Sequence, residues 1–215
     1  MTTTSAAADE PASTPEHWEQ VYRTRQSDQV SWYRAHLERS LAWITAAAPA
    51  RDARILDVGG GASTLVDDLL ALGYDHVAVL DLSAAALATA RARLGTAGER
   101  VDWRCGDVCT VALEPAGFDV WHDRAVFHFL TRADERAAYR RQVEHALKPG
   151  GQFVIATFAP DGPERCSSLP VVRYDAAGLQ QMFGDGFGLL EQTEERHETP
   201  GGHLQPFAWC RFRRL

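Results

Sequence analysis

The chain lacks the features of an exported or membrane protein. None of its apolar runs approaches the roughly 18 residues that a membrane-spanning helix needs, and its first residues carry neither the basic nor the apolar region of a signal peptide. Its four cysteines show no paired metal-ligand spacing and no dense disulfide framework. We therefore expect a cytoplasmic protein with reduced thiols and no metal site.

An excess of positive charge is missing as well. The formal net charge is -7 at pH 7, from 22 basic and 29 acidic residues. Proteins that bind phosphate backbones usually present a basic face, so this balance disfavours general nucleic-acid binding. Hydrophobic residues make up 45% of the 215 positions, which indicates one substantial core.

The first segment divides into a polar leader and a helical cap. Residues 1–14 are small and polar and include a proline, so we predict that they are disordered. Trp18 and Tyr22 then share one helical face. We predict that residues 15–215 form one domain, in which residues 15–50 are an N-terminal helical cap over the functional site.

The remainder of the chain alternates between strand and helix patterns. Strands are predicted at residues 54–58, 76–80, 101–105, 118–121 and 152–158. Strands that alternate with helices indicate βαβ units and a parallel sheet covered on both faces. Two extended patterns near the C terminus, separated by Thr-Pro-Gly-Gly, predict an antiparallel hairpin at the sheet edge.

A glycine-rich turn follows the first strand. In ILDVGGGAS, residues 55–63, an apolar strand is followed by glycines and then by a helix. Glycines leave room for a ligand to lie against backbone N–H groups at the helix start, and ligands in open α/β sheets bind at the carboxyl ends of strands. This turn alone is weak evidence for a nucleotide-like ligand.

Two later acids strengthen that prediction. Asp81 ends the second strand about 20 residues further on, where a carboxylate can accept both hydroxyls of a ribose. Asp107 follows the third strand, where it could accept from an adenine amino group. Each acid alone could equally be a turn or helix-cap residue rather than a ligand-binding one. Together with Asp57, however, three acids stand at successive strand ends. That arrangement indicates a nucleoside-containing ligand.

NAD and FAD must also be considered, because glycine-rich turns of this kind bind dinucleotides. Their fingerprint G-x-G-x-x-G would start at Gly59 but reaches Thr64 where the third glycine belongs. The mismatch disfavours a dinucleotide-dependent oxidoreductase.

The ordered motifs ILDVGGGAS, VLDLS, GDV, FDVWHD and LKPGGQFVIATF, between Ile55 and Phe158, resemble those of the class I S-adenosylmethionine-dependent methyltransferases. The resemblance implies an α/β fold: a seven-stranded, mostly parallel Rossmann-like sheet with helices on both faces and a C-terminal antiparallel hairpin. It also implies S-adenosyl-L-methionine as the cofactor. The cofactor-binding residues that it implies are Gly59, Gly60 and Gly61 at the methionine part, Asp57, which anchors this loop or bonds through water, Asp81 and Leu82 at the ribose, Asp107 and Val108 at the adenine, and His122, whose backbone would meet the amine.

The run VWHDRAVFHFL is similar to a segment of the thiopurine and halide or thiol methyltransferases, and also to one of the small lysine methyltransferases. It departs from both at Ala125, where those families have glycine. The resemblance implies that this segment borders the acceptor, where Arg124 could orient an anionic substrate by a forked contact. The aromatic N-terminal segment adds Trp32 and Tyr33 as substrate-binding candidates, unless they only join the helix to the sheet.

Methyl transfer requires a lone pair on the acceptor. A thiol, with an unperturbed pKa near 8.5, needs little help, whereas an amine or hydroxyl needs a base. His122 and His128 are the candidate bases, and Arg124 completes the predicted catalytic set, although the phenylalanines beside His128 equally favour a packing role. Cys166, in the long connection after the fifth strand, is a candidate substrate-binding thiol or an ordinary loop cysteine.

The sequence therefore predicts a methyltransferase acting on a small-molecule acceptor that bears a thiol or another soft heteroatom. Two alternatives stay open. The chain could methylate lysine on a protein substrate, or it could bind S-adenosylmethionine without transferring its methyl group.

Overall fold

The computed structural model describes residues 13–215. The helices are α1 Pro15–Thr24, α2 Glu38–Ala47, α3 Leu65–Ala71, α4 Ala84–Leu94, α5 Ala133–Ala146 and α6 Ala176–Phe183. The strands are β1 Arg54–Val58, β2 His76–Asp81, β3 Asp102–Cys105, β4 Phe118–Arg124, β5 Leu147–Phe158, β6 Arg165–Cys166, β7 Leu169–Pro170, β8 Phe187–Glu198 and β9 Leu204–Arg214. Within this part of the chain no helix is long and apolar enough to cross a membrane.

The predicted disordered leader falls mostly on residues 1–12, which lie outside the described residues. Its last two positions are ordered, contrary to the prediction. Thr14 caps α1, where its hydroxyl accepts from the backbone N–H of His17 at 3.3 Å, and Ser13 Oγ accepts from Trp18 Nε1 at 2.8 Å. A polar residue of this kind satisfies the free N–H groups of a helix start, which composition alone does not reveal.

The seven main strands form one sheet in the order β3-β2-β1-β4-β5-β9-β8. Strands β1 to β5 are parallel to one another, and β9 is antiparallel to both β5 and β8. This topology confirms the predicted seven-stranded, mostly parallel sheet with its C-terminal hairpin. The order reverses between β1 and β4, and ligands of open α/β sheets bind at such a reversal.

Buried apolar residues cover the sheet on both faces, as a parallel sheet requires. On one face the strands pack against α5 and α6, through side chains such as Tyr139, Val143 and Phe183. On the other face they pack against α2, α3 and α4, through Ile44, Leu69 and Leu87. Trp18 of α1 and Trp43 of α2 join a third cluster near the end of β5.

Strand β4 runs three residues further than the predicted 118–121. His122, Asp123 and Arg124 belong to it, and Arg124 lies opposite Ala156 of β5. Polar side chains of this kind suggest a loop. In the structure, however, His122 and Asp123 have buried hydrogen-bond partners, and Arg124 lines a cavity. The turn comes at Ala125, whose φ of +72° is the left-handed conformation that glycine adopts most readily.

Two other boundaries differ from the predicted ones. Arg132, one residue after the predicted cap Thr131, is the N-cap of α5, and its backbone N–H donates to the Glu135 carboxylate at 3.0 Å. Strand β5 begins at Leu147, which pairs with Phe118 of β4; the Lys-Pro-Gly-Gly segment lies at a register shift, and pairing resumes between Gln152 and Val120.

The connection after β5 contains a small hairpin, β6 and β7, that the sequence did not predict. Its two turn residues, Ser167 and Ser168, have φ values of +49° and +66°, as the tightest hairpin turns require. The hairpin carries Cys166 and meets the cap, since His17 Nε2 lies 3.1 Å from Ser167 Oγ.

Candidate active site

Two adjoining cavities open at the carboxyl ends of the parallel strands, beneath α1 and the segment that follows it. The larger has a volume of about 150 Å³ and the smaller about 50 Å³. Five residues line both cavities and so mark the boundary between them: Tyr22, Trp32, Val58, Gly59 and Arg124.

One end of the larger cavity holds the residues predicted to bind adenosine. Asp81, Leu82, Asp107 and Val108 all line it. Asp81 Oδ1 accepts from the backbone N–H of Ser83 at 2.8 Å, which fixes the carboxyl group. Asp107 is exposed and accepts from the backbone N–H of Cys109 at 2.8 Å. The structure thus brings these four predicted residues together.

The carboxyl group of Asp81 is itself almost inaccessible. Burial raises its pKa to about 7, although the N–H of Ser83 acts in the opposite direction, and the nearby Asp57 carboxylate raises the pKa further. The proton that binds to the free protein near neutral pH would compete with any diol that donates to this carboxylate.

The smaller cavity receives most of the predicted methionine-binding residues. Asp57, Gly59, Gly60 and His122 line it. Gly61 does not: a Cβ there would lie 2.8 Å from Asp81 Oδ2 and 3.2 Å from Tyr22 Oη. That glycine lets the Asp81 carboxylate and the cap come close together, and its contact with the cofactor stays a prediction.

Gly59 is required at the boundary for steric reasons. Its φ is +69°, and a Cβ there would lie 2.1 Å from Val126 Cγ2. Gly59 therefore packs closely against the turn after β4, and its backbone, with no side chain, forms part of the wall of both cavities.

The other end of the larger cavity is aromatic. Trp18, Trp32 and Phe129 line it, and the ring of Trp18 packs edge-on against the other two at centroid distances of 5.7 and 5.0 Å. Cys166 also lines it, and burial raises the pKa of its thiol to about 11. Tyr33, predicted to be here, lines only the smaller cavity beside the glycine turn. Its role as an acceptor-binding residue stays a prediction.

The side chain of Arg124 reaches this end of the cavity from β4. Its Nη1 donates to the Trp32 carbonyl at 3.1 Å, and its guanidinium carbon lies 5.0 Å from the centre of the Phe207 ring. Its Nη2 is buried and has no hydrogen-bond partner. Of the predicted catalytic residues, this one has a group available to a ligand.

The two predicted histidine bases have other roles. His122 is buried, its Nδ1 donates to Asp57 Oδ1 at 2.7 Å, and its Nε2 lies 2.9 Å from Ser40 Oγ. His128 is fully buried and accepts through Nδ1 from the backbone N–H of Phe158 at 3.3 Å. Burial lowers the pKa of His128 to about 3. Both nitrogens of His122 are engaged, and His128, whose Nε2 is buried without a partner, lines neither cavity. Neither ring is placed to act as a base on an acceptor, which corrects both predictions.

Helix α1 contributes residues that the sequence reasoning did not assign to the site. Trp18 and Tyr22 line the larger cavity, and their shared helical face was the available signal. Glu19, between them, accepts through Oε2 from Ser83 Oγ at 2.8 Å and from the backbone N–H of Ala85 at 3.0 Å. Those contacts lower the pKa of Glu19 and join the cap to the start of α4, two residues beyond Asp81.

The comparison with known proteins agrees with this geometry. Residues 55–151 match the family model of the methyltransferase domain, and the acids and glycines that line the cavities fit the adenosine and methionine parts of the cofactor. The chain contains an S-adenosylmethionine-dependent methyltransferase domain. Among residues 13–215 of this methyltransferase, no group of three His, Cys, Asp or Glu side chains could hold a metal ion.

The relatives of this methyltransferase differ in name and extent. Human EEF1A lysine methyltransferase 2 is 21% identical over 203 residues, which are 88% of this chain and 80% of that protein. The ubiquinone biosynthesis O-methyltransferase of Xylella fastidiosa is 33% identical over 118 residues, which are 54% of this chain and 46% of that protein. The chain thus spans about half the length of the latter.

A solved structure with the same fold is the 1,6-didemethyltoxoflavin-N1-methyltransferase of Burkholderia thailandensis, which contains 1,6-didemethyltoxoflavin and S-adenosylhomocysteine. It is 21% identical, covers 98% of this chain and 94% of its own, and superposes with a TM-score of 0.70.

The raised pKa of Asp81 predicts pH-dependent cofactor binding. The ribose hydroxyls are expected to donate to the ionised carboxylate. The Kd of S-adenosylhomocysteine should therefore be about tenfold larger at pH 6 than at pH 8, with most of the change below pH 7. Calorimetry across this range measures it. Asp81→Asn should bind more weakly and lose that pH dependence. An unchanged slope in Asp81→Asn would assign the titration to another group.

The contacts of Glu19 predict that the cap stabilises the bound cofactor. Glu19→Ala should accelerate S-adenosylhomocysteine dissociation roughly three- to tenfold, because α1 loses its bonds to Ser83 and Ala85. Glu19→Gln keeps an acceptor oxygen and should recover most of the loss. Stopped-flow fluorescence measures the rate.

Glu16→Ala is the matched control, since Glu16 is an exposed acid on the same helix. Equal dissociation rates in Glu19→Ala and Glu16→Ala would show that the contact to α4 does not retain the cofactor.

Proposed function

We propose that the chain methylates a small-molecule acceptor that supplies its own lone pair, a thiol or another soft heteroatom. The observation that carries the proposal is the lack of a general base at the aromatic end of the larger cavity, where the described lining is Trp18, Trp32, Phe129, Cys166 and Arg124. Thiols ionise appreciably near neutral pH, whereas alcohols and alkylamines require a base.

The other ionisable groups of the larger cavity do not fill that role. Asp81 and Asp107 lie at the adenosine end, and Glu135 accepts from the N-cap of α5. Burial raises the pKa of Tyr22 well above that of a free tyrosine, so its hydroxyl is a donor at neutral pH. Cys166 and Cys109, whose pKa values are raised by burial, remain thiols.

The cofactor supplies a methyl group on a sulfonium sulfur that joins its ribose to its amino-acid part. With the adenosine residues in one cavity and the methionine residues in the other, the boundary residues Tyr22, Trp32 and Arg124 would surround the transfer point. The cap excludes water there, and the rings of Trp18 and Phe129 hold the acceptor in line with the methyl group.

Protein lysine methylation is the second candidate. It is favoured by the match to human EEF1A lysine methyltransferase 2, which extends over 88% of this chain. A lysine ammonium would have to approach the Arg124 guanidinium and lose a proton without a base beside it, so the acceptor end fits a thiol better. A protein that binds the cofactor without transfer would need no such acceptor end.

The lack of an enzyme base predicts that the acceptor itself sets the pH dependence of the reaction. With thiols of different pKa, the inflection of kcat/KM against pH should move with the pKa of each thiol. Release of S-adenosylhomocysteine from S-adenosylmethionine measures the rate, and Asp81→Ala serves as the inactive control. The same inflection for every thiol would reveal an enzyme base. Methyl label in lysine of lysate proteins, with none in thiols, would favour the second candidate.

A further inference from the structure

The guanidinium of Arg124 has no carboxylate partner within ion-pairing distance in the described part of the chain. Its Nη1 donates only to a backbone carbonyl, its Nη2 is buried without a partner, and an aromatic ring covers one face. Burial without an anion lowers its pKa to about 10. A buried and unpaired charge costs free energy unless a bound ligand supplies the opposite charge.

Nearby acids do not balance the positive charge around Arg124. Glu195 is the acid whose field reaches it, but that carboxylate already lies 3.8 Å from Arg34 Nη2 and 3.4 Å from Arg39 Nε. The second acid in contact with Arg34 is Glu38, which is largely exposed. The partly buried carboxylate of Glu195 thus lies among three guanidinium groups, of which Arg34 also contacts Glu38.

The two cations nearest the cofactor lie in different places. Arg34 lines only the smaller cavity, beside Gly60 and Ser63, where the amino-acid part of the cofactor is expected. Arg124 lines both cavities and ends among the aromatic residues. Arg34 is already engaged there, with Nη1 at Glu38, Nη2 at Glu195 and Nε donating to His197. Arg124, with its unpartnered Nη2, also lines the aromatic larger cavity, where an anionic group of the acceptor would meet it.

We propose that the methyl acceptor is itself an anion, a flat conjugated molecule whose carboxylate or similarly acidic group is bound by Nη2 of Arg124. The inference rests on the proposed function and names its substrate class. The flat shape follows from Trp18, Trp32 and Phe129, which line this end of the cavity with ring edges and faces. A guanidinium gives a carboxylate two parallel donors, although Nη1 is already engaged here, so Nη2 is the free one.

Binding of reaction products to the complex with S-adenosylhomocysteine tests this directly. The probes are 4-(methylthio)benzoate and 4-(methylthio)benzamide, which have nearly the same shape and differ in charge. By calorimetry the benzoate should bind at least about tenfold more tightly than the benzamide. Arg124→Gln should abolish the difference and Arg124→Lys should retain part of it. Arg196→Gln, which removes an exposed cation of β8, should leave the difference unchanged.

Two results would overturn the proposal. One is equal binding of benzoate and benzamide to the intact protein. The other is a preference for benzoate that survives in Arg124→Gln, together with weaker binding of S-adenosylhomocysteine but unchanged binding of 5′-methylthioadenosine, which lacks the amino-acid part. That result would place Arg124 on the cofactor carboxylate. The measurement requires no turnover, so a lack of methyl transfer to every thiol would contradict the proposed function separately.

Discussion

The site depends on how the end of β4 is fixed between the two faces of the sheet. On one face His122 bonds to Asp57 of β1 and to Ser40 of α2. On the other face the buried Asp123 carboxylate accepts from Tyr139 Oη and from the backbone N–H groups of Val126 and Phe127. These bonds join the strand to both layers of helices and shape the turn that follows, since a buried carboxylate is stable only with donors around it. Arg124, the next residue, is then held where its charge faces the cavities.

Different parts of the fold form the cofactor site and the proposed acceptor site. Strand ends provide the acids and bare backbone that fit the cofactor, whereas the acceptor end is formed by parts far apart in the chain: α1, the segment containing Trp32, and the β6–β7 hairpin. Glu19 and His17 attach α1 to α4 and to that hairpin. Because the cap forms one wall of both cavities, the shape of the acceptor site and retention of the cofactor depend on the same helix.

Local patterns predicted most of the sheet, and they placed the candidate cofactor residues at its carboxyl edge. An acid at the end of an apolar strand is visible in sequence, and parallel strands bring such acids to one edge, as Asp81 and Asp107 show. The histidines were misassigned because their partners are remote: Ser40 is 82 residues from His122, and Phe158 is 30 residues from His128. The last three residues of β4 are polar, so the sequence did not predict them as strand. No local pattern marks Glu19 as the residue that contacts α4.

A crystal structure with S-adenosylhomocysteine tests the central claim, that the two cavities hold the two parts of one cofactor and meet at the transfer point. The account predicts the ribose hydroxyls on Asp81 and the sulfur at the boundary formed by Tyr22, Trp32 and Arg124, facing the aromatic end of the larger cavity. A sulfur that lies away from these three residues, or a ribose that does not touch Asp81, would contradict it.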